Sequence, residues 1–241
     1  MDIDSLCKCY KIKEECLKGV LDKINLDAVY ILWSSVIEEL GTDYSDIDVY
    51  VLSAEPIKVV SVNYNGIILD IENYIINDLI SECIKIKNCN DQGYLNLNIL
   101  KVLYRIKKGV VYHNNGKNME FTSLLSLIST IDLDRVIGNY WNVKYVSAFE
   151  EIIKLYSSGQ SVTGILQGYA MVSYALGTYI ASKDNAQVKE KWFYRIFERI
   201  LLGEWEEIIE QYWKLFKPIS KSTAPNALMD MIVFCKKLLQ E

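Results

Sequence analysis

Histidine is almost missing from this 241-residue chain, and what little there is excludes one common chemistry. His113 is the single histidine, and the six cysteines (Cys7, Cys9, Cys16, Cys83, Cys89, Cys235) form no Cys-x-x-Cys pair. A tetrahedral Cys/His zinc set therefore has too few ligands at the required spacing. The expected state of the cysteines is reduced thiol in a cytoplasmic protein. A basic excess is also lacking: 26 Lys and Arg stand against 31 Asp and Glu, a formal net charge of −5. Binders of nucleic-acid backbones display a basic stripe, so nucleic acid is not the expected partner. The opening Met1-Asp2-Ile3-Asp4 lacks the basic, apolar, small-residue order of a secretory signal. Repeats, low-complexity stretches and a long linker are lacking too, and 51% hydrophobic residues supply one large core or two modest ones.

One stretch has the length of a membrane span. Gly159 to Ser182 carries no charged residue. Its Gln160, Gln167, three tyrosines and several Ser, Thr and Gly residues make it only mildly apolar. Gly164 and Gly168, one helical turn apart, allow another helix to approach closely. These features predict the central helix of a soluble bundle, with no membrane partner.

Periodicity divides the chain. Residues 3 to 24 place Ile3, Leu6, Tyr10, Leu17, Leu21 and Ile24 on one helical face. Short runs rich in Val, Ile and Tyr follow at Ala28 to Trp33, Ile47 to Leu52, Ile57 to Val62 and Ile67 to Ile71, the pattern of strands. Asn63-Tyr64-Asn65-Gly66 is a turn sequence that predicts an antiparallel hairpin between the last two. Helical patterns occupy Ile75 to Lys87 and Leu95 to Lys107, and Val110 to Tyr112 is a last short strand. From about Ser123 strand signals disappear. Helical patterns then fill Phe149 to Tyr156, Val162 to Ala181, Lys191 to Leu202 and Trp205 to Phe216, each ended by Gly, Ser or Pro, and Leu228 to Leu239, which follows Pro225. The expected fold class is α+β: a small mixed sheet with helices over residues 1–120, then an α-helical bundle over residues 121–241.

The chemistry is concentrated in YILWSSVIEELGTDYSDIDVYVL, residues 30–52. An apolar strand runs into Ser34-Ser35, a polar loop follows, and a second strand carries Asp46 and Asp48. Side chains alternate along a strand, so these two aspartates project from one face. Adjacent carboxylates repel unless a cation lies between them, and Mg²⁺ prefers such oxygen ligands and often bridges to phosphates. Solvated turns share the Asp-x-Asp pattern; the β-branched and aromatic surroundings and the upstream serines favour the metal. In GIILDIENY, Asp70 and Glu72 again alternate onto one face. If that strand lies beside the first, three or four acids gather at one edge of the sheet, the arrangement of two-metal phosphoryl chemistry. In it one ion activates a hydroxyl, and the other holds the triphosphate and stabilises the leaving pyrophosphate.

The small residue, Ser35, polar loop, Ser45-Asp46-x-Asp48 and later strand acid resemble the nucleotidyltransferase superfamily related to DNA polymerase β. The resemblance covers about residues 25–112. It implies that Ser34, Ser35 and Ser45 lie against nucleotide phosphates and that Asp46, Asp48 and Asp70 hold Mg²⁺. Glu72 is then a candidate base. The stretch MVSYALGTYIASKDNAQVKEKW, Met171 to Trp192, resembles the helical domain of streptomycin- and spectinomycin-type aminoglycoside adenylyltransferases. That likeness implies Lys183 as a phosphate ligand and Tyr212 as a nucleotide contact.

Two positions depart from the pattern. Ser34 stands where glycine is usual, so reduced activity or an altered pose is expected. Gly159-Gln160-Ser161 stands where those enzymes carry acids that grip a polycationic drug, so a less cationic acceptor is expected. Tyr169, Tyr174 and Tyr179 serve equally as cleft lining or as core. The resemblance implies Mg²⁺-dependent transfer of AMP from ATP to a hydroxyl of a small molecule, with release of pyrophosphate. The alternatives are AMP transfer to a protein, as in nucleotidyltransferase antitoxins, and a non-catalytic nucleotide-binding or interaction module of the same fold.

Overall fold

The computed structural model describes residues 2–21, 23, 28–42, 45–64, 66–89, 93–112, 119–201, 206–220 and 222–240. They form two compact units, Met1–Cys89 with Asn98–Ile131, and Asn90–Leu97 with Asp132–Glu241.

In the first unit, α1 (Ile3–Tyr10) starts at Asp2, whose carboxylate accepts the Ser5 N–H at 2.8 Å. It ends at Lys11, which takes a left-handed conformation with φ 54°. α2 (Glu14–Leu21) resumes the same apolar face. The face expected over residues 3 to 24 is thus delivered by two helices, because a side chain at positive φ cannot continue a helix. Ile24 lies outside the described residues.

β1 (Val29–Trp33), a 3₁₀ turn at Ser35–Glu38, β2 (Ile47–Ser53), β3 (Val62–Tyr64) and β4 (Ile67–Ile75) follow. α3 (Ile76–Asn88), α4 (Leu97–Lys108), β5 (Val110–Val111) and α5 (Met119–Ser129) complete the unit. The sheet order is β3-β4-β2-β1-β5, with β2 and β4 parallel and every other pair antiparallel. The β3–β4 hairpin forms as the turn sequence predicts; Asn63 Oδ1 accepts the Gly66 N–H at 3.0 Å and Gly66 takes φ 85°. Its first strand begins only at Val62, not at Ile57. Pro56 brings no N–H, and the Ile57 N–H is taken by the side chain of Asn73 at 2.8 Å, so no ladder starts there.

Alternation sorts the sheet into two faces. Tyr30, Leu32, Ile47, Val49, Val51, Leu69 and Ile71 pack with Leu6, Tyr10, Leu17 and Leu21 of α1 and α2. Trp33, Asp48, Tyr50, Asp70 and Glu72 occupy the opposite parity, the face reached by side chains of α4.

The second unit holds α6 (Leu133–Ser157), α7 (Ser161–Ser182), a 3₁₀ turn at Glu190–Trp192, α8 (Phe193–Ile200), α9 (Glu206–Lys214) and α10 (Ala224–Leu238). No strand occurs among its described residues. α6 extends far ahead of the expected Phe149, starting where Asp132 caps the Arg135 N–H at 3.0 Å. Its aromatic, β-branched and asparagine-rich first half has weak helix propensity, and packing on α7 overrides it. The uncharged α7 lies centrally against α6 and α10. A Cβ on Gly164 would sit 3.0 Å from Leu228, and one on Gly168 would sit 2.5 Å from Met231 Sδ. These two glycines are therefore what lets α10 approach. No described helix is long and apolar enough to cross a membrane.

Candidate metal centre

The register of β2 on β4 builds the site. Asp48 is directly paired with Asp70, and Tyr50 with Glu72, so the four side chains share one face. Asp48, Asp70 and Glu72 each bring a carboxylate oxygen within 4.8 Å of the other two. Asp46 is exposed just ahead of β2 and is not one of this trio. The donors are all hard oxygens, which fit Mg²⁺ and not a thiolate- or imidazole-seeking metal.

Each acid also has a partner within the protein. Asp48 is buried, and its Oδ1 lies 2.9 Å from Nη1 of Arg105, which is fully buried. The same Nη1 donates to the Tyr50 hydroxyl. The guanidinium carbon lies 4.1 Å from the centre of the Trp33 ring and 5.6 Å from that of Tyr50. Glu72 receives Nζ of Lys101 at 3.4 Å on Oε1 and the Tyr74 hydroxyl at 2.5 Å on Oε2. Asp70 is exposed and accepts from the Ser61 hydroxyl at 2.9 Å. Burial first, and then the neighbouring Glu72, push the Tyr74 phenol well above its ordinary range. Tyr50 is pushed up as well, by burial first, so both phenols remain protonated donors or acceptors at neutral pH.

The serines sit at the end of β1. Ser34 is fully buried; its Oγ accepts the Val36 N–H and lies 2.5 Å from the Tyr10 hydroxyl. Burial, set against that hydrogen bond, raises the pKa of Tyr10. Ser34 is therefore a link to α1 and a cap, placed under the turn. Ser35, also buried, opens the turn, and Ser45 Oγ accepts the Thr42 N–H at 3.0 Å. The Ser35 and Ser45 hydroxyls converge on Gly41, where a Cβ would lie 2.3 Å from one and 2.6 Å from the other. The two serines are thus neighbours in space, with Gly41 leaving the room between them.

Lys183 and Tyr212 belong to the second unit. Lys183 follows the end of α7, exposed, with Nζ 5.3 Å from the Tyr179 ring. Tyr212 stacks on Tyr194 at 4.8 Å and meets Phe197, Phe216 and Phe234. Burial pushes its phenol up to about 12. Tyr174 stacks on Trp141, Tyr179 meets Phe197 edge-on and Tyr169 stacks on Phe216, so all three tyrosines of α7 have aromatic packing partners.

Arg105, Lys101, Tyr74, Ser61 and Gly41 are absent from the sequence-level site. Arg105 had a legible signal: in Leu103-Tyr104-Arg105-Ile106 a cation interrupts an apolar stretch, and a buried cation requires an anion. Nothing in the sequence distinguishes Gly41 from an ordinary loop glycine.

No family model and no curated protein matches the chain. Among solved structures, it is similar to the crystal structure of a nucleotidyltransferase-like protein from Exiguobacterium sibiricum 255-15. The TM-score is 0.53 over 94% of this chain and 73% of that one, at 11% identity. At this identity the likeness speaks for the fold alone: a mixed sheet with a helical C-terminal part, in a nucleotidyltransferase-like arrangement.

Proposed function

We propose that the acidic face of the first unit is the centre of a Mg²⁺-dependent nucleotidyltransferase that moves AMP from ATP to a hydroxyl of a small molecule. The observation that carries this reading is the meeting of Asp48, Asp70 and Glu72 on paired strands of a nucleotidyltransferase-like fold. The acceptor oxygen attacks the α-phosphorus in line, the bond from that phosphorus to the bridging oxygen breaks, and pyrophosphate leaves. A bound divalent ion supplies charge neutralisation at the phosphates. Asp48 and Asp70 would provide its oxygen ligands, and Asp46, exposed just ahead of β2 and outside the trio, would have to move to join them. Glu72 takes the hydroxyl proton, which requires it to loosen its hold on Lys101 or Tyr74. Ser35 and Ser45, side by side across Gly41, offer hydroxyl donors to phosphate oxygens.

A specific observation favours a second reading. Arg105 and Lys101 already balance two of the three acids, which suits a non-catalytic nucleotide-binding module of the same fold. One experiment separates the two. α-Labelled ATP and Mg²⁺ are incubated with a panel of hydroxylated acceptors, and pyrophosphate release is measured. Transfer of label that disappears in Asp70→Asn is the expected result. ATP- and Mg²⁺-dependent thermal stabilisation without pyrophosphate release from any acceptor selects the binding module. No stabilisation and no release overturn both.

A further inference from the structure

Arg105 is the least expected group at this centre. Its Nη1 is committed to Asp48 and Tyr50, yet Nε and Nη2, both buried, have no hydrogen-bond partner among the described residues. Nε and Nη2 form the forked edge that guanidinium groups normally offer to oxyanions. A buried cation with that edge unpaired depends on nearby negative charge for its place in the fold. The charge available is Asp48, with Asp70 and Glu72 beside it. One helical turn earlier on α4, Lys101 reaches Glu72, so the helix presents two cations at i and i+4 to the same cluster. Among the described residues, three carboxylates then face two positive charges, and these five groups sum to a formal charge of −1.

That charge inventory bears on how many ions enter. A carboxylate that bridges two metals gives one oxygen to each. Asp48 instead directs Oδ1 to a guanidinium that is held between Trp33 and Tyr50 and cannot drift away as a solvated ion does. We propose that Arg105 stands in for a second metal ion: the Asp48–Asp70–Glu72 cluster takes a single divalent ion, and the buried guanidinium supplies the remaining positive charge at Asp48. This rests on the reading of the cluster as a metal site. Arg105 acts through Asp48 and is a positioning residue.

The test is a titration of the full chain with Mn²⁺ alone, free ion followed by electron paramagnetic resonance and heat by calorimetry. Wild type is expected to bind one ion per chain, and Arg105→Lys, which keeps the charge, also one. Arg105→Met, with its fold verified by circular dichroism, is expected to bind two. Lys101→Met removes a half-buried cation and leaves the guanidinium in place. A unit charge about 6 Å from a divalent ion is worth roughly tenfold in affinity even at the dielectric of water. Lys101→Met is therefore expected to bind one ion about three- to tenfold more tightly, a shift that decides the matter should Arg105→Met not fold. Two ions in wild type, or an unchanged affinity in Lys101→Met, overturn the inference while leaving the metal site standing. No ion in wild type, with Asp70→Asn indistinguishable from it, overturns the metal reading and the inference together.

Discussion

Removing the Asp48 carboxylate is predicted to destabilise the first unit far more than an acid at a strand edge normally does. Arg105 has no exposed surface, and Asp48 is its charge partner at 2.9 Å. Taking one member from a buried pair leaves the other charge uncompensated, at a cost of about 3–5 kcal/mol. Replacing both members by apolar residues of similar volume is often neutral, so Asp48→Leu with Arg105→Met should lie within about 1 kcal/mol of wild type. The single substitutions would then each cost about 3–5 kcal/mol, with a coupling of at least about 5 kcal/mol. The Glu72–Lys101 pair is the internal control. Its side chains are 32% and 27% exposed, and such pairs contribute roughly 0–1 kcal/mol. Urea unfolding followed by tryptophan fluorescence, with midpoints compared at constant slope, measures all of these. An Asp48→Asn midpoint within about 1 kcal/mol of wild type would refute the reasoning, because the guanidinium would have lost its counter-charge without consequence.

Further outcomes follow from the same geometry. Asp70→Asn changes an exposed acid, so stability should move by less than about 1 kcal/mol while Mn²⁺ affinity is lost, as calorimetry would record. Gly41→Ala must displace the Ser35 and Ser45 hydroxyls; a cost of about 1–3 kcal/mol is expected, together with a weaker thermal shift from ATP. Gly177→Ala drives a methyl to 2.8 Å from Trp141 and Phe193, and should lower the melting temperature through the second unit by a similar amount. The buried Cys83 thiol is pushed up by burial from 9.0 to about 11. Its folded-state value is raised, so its contribution is intact below pH 9 and is lost as pH climbs from there toward 11. Urea midpoints of wild type should therefore fall over that window more steeply than those of Cys83→Ala.

Much of the first unit was readable because its strands alternate cleanly. The spacing of Asp46, Asp48, Asp70 and Glu72 fixes their parity, and the structure pairs Asp48 with Asp70 directly. The parallel sense of that pair depends on tertiary packing and carries no local signal. Asp46 shows the limit of parity as a guide. It has the right spacing from Asp48, yet it stands just outside the strand and apart from the trio. Arg105 shows another limit: the helix pattern was visible, but which cation on it turns inward depends on a charge placed 57 residues earlier in the chain. The single helical face over residues 3 to 24 concealed the break at Lys11, since two short helices in line can keep one apolar stripe.

The hydrogen bond between Tyr10 and Ser34 has a practical consequence. It ties the first helix to the residue that caps the turn opened by Ser35, so the packing of α1 and the position of that turn are coupled. Truncation past Tyr10 would free the buried Ser34 hydroxyl, 24 positions downstream, from its partner on the first helix.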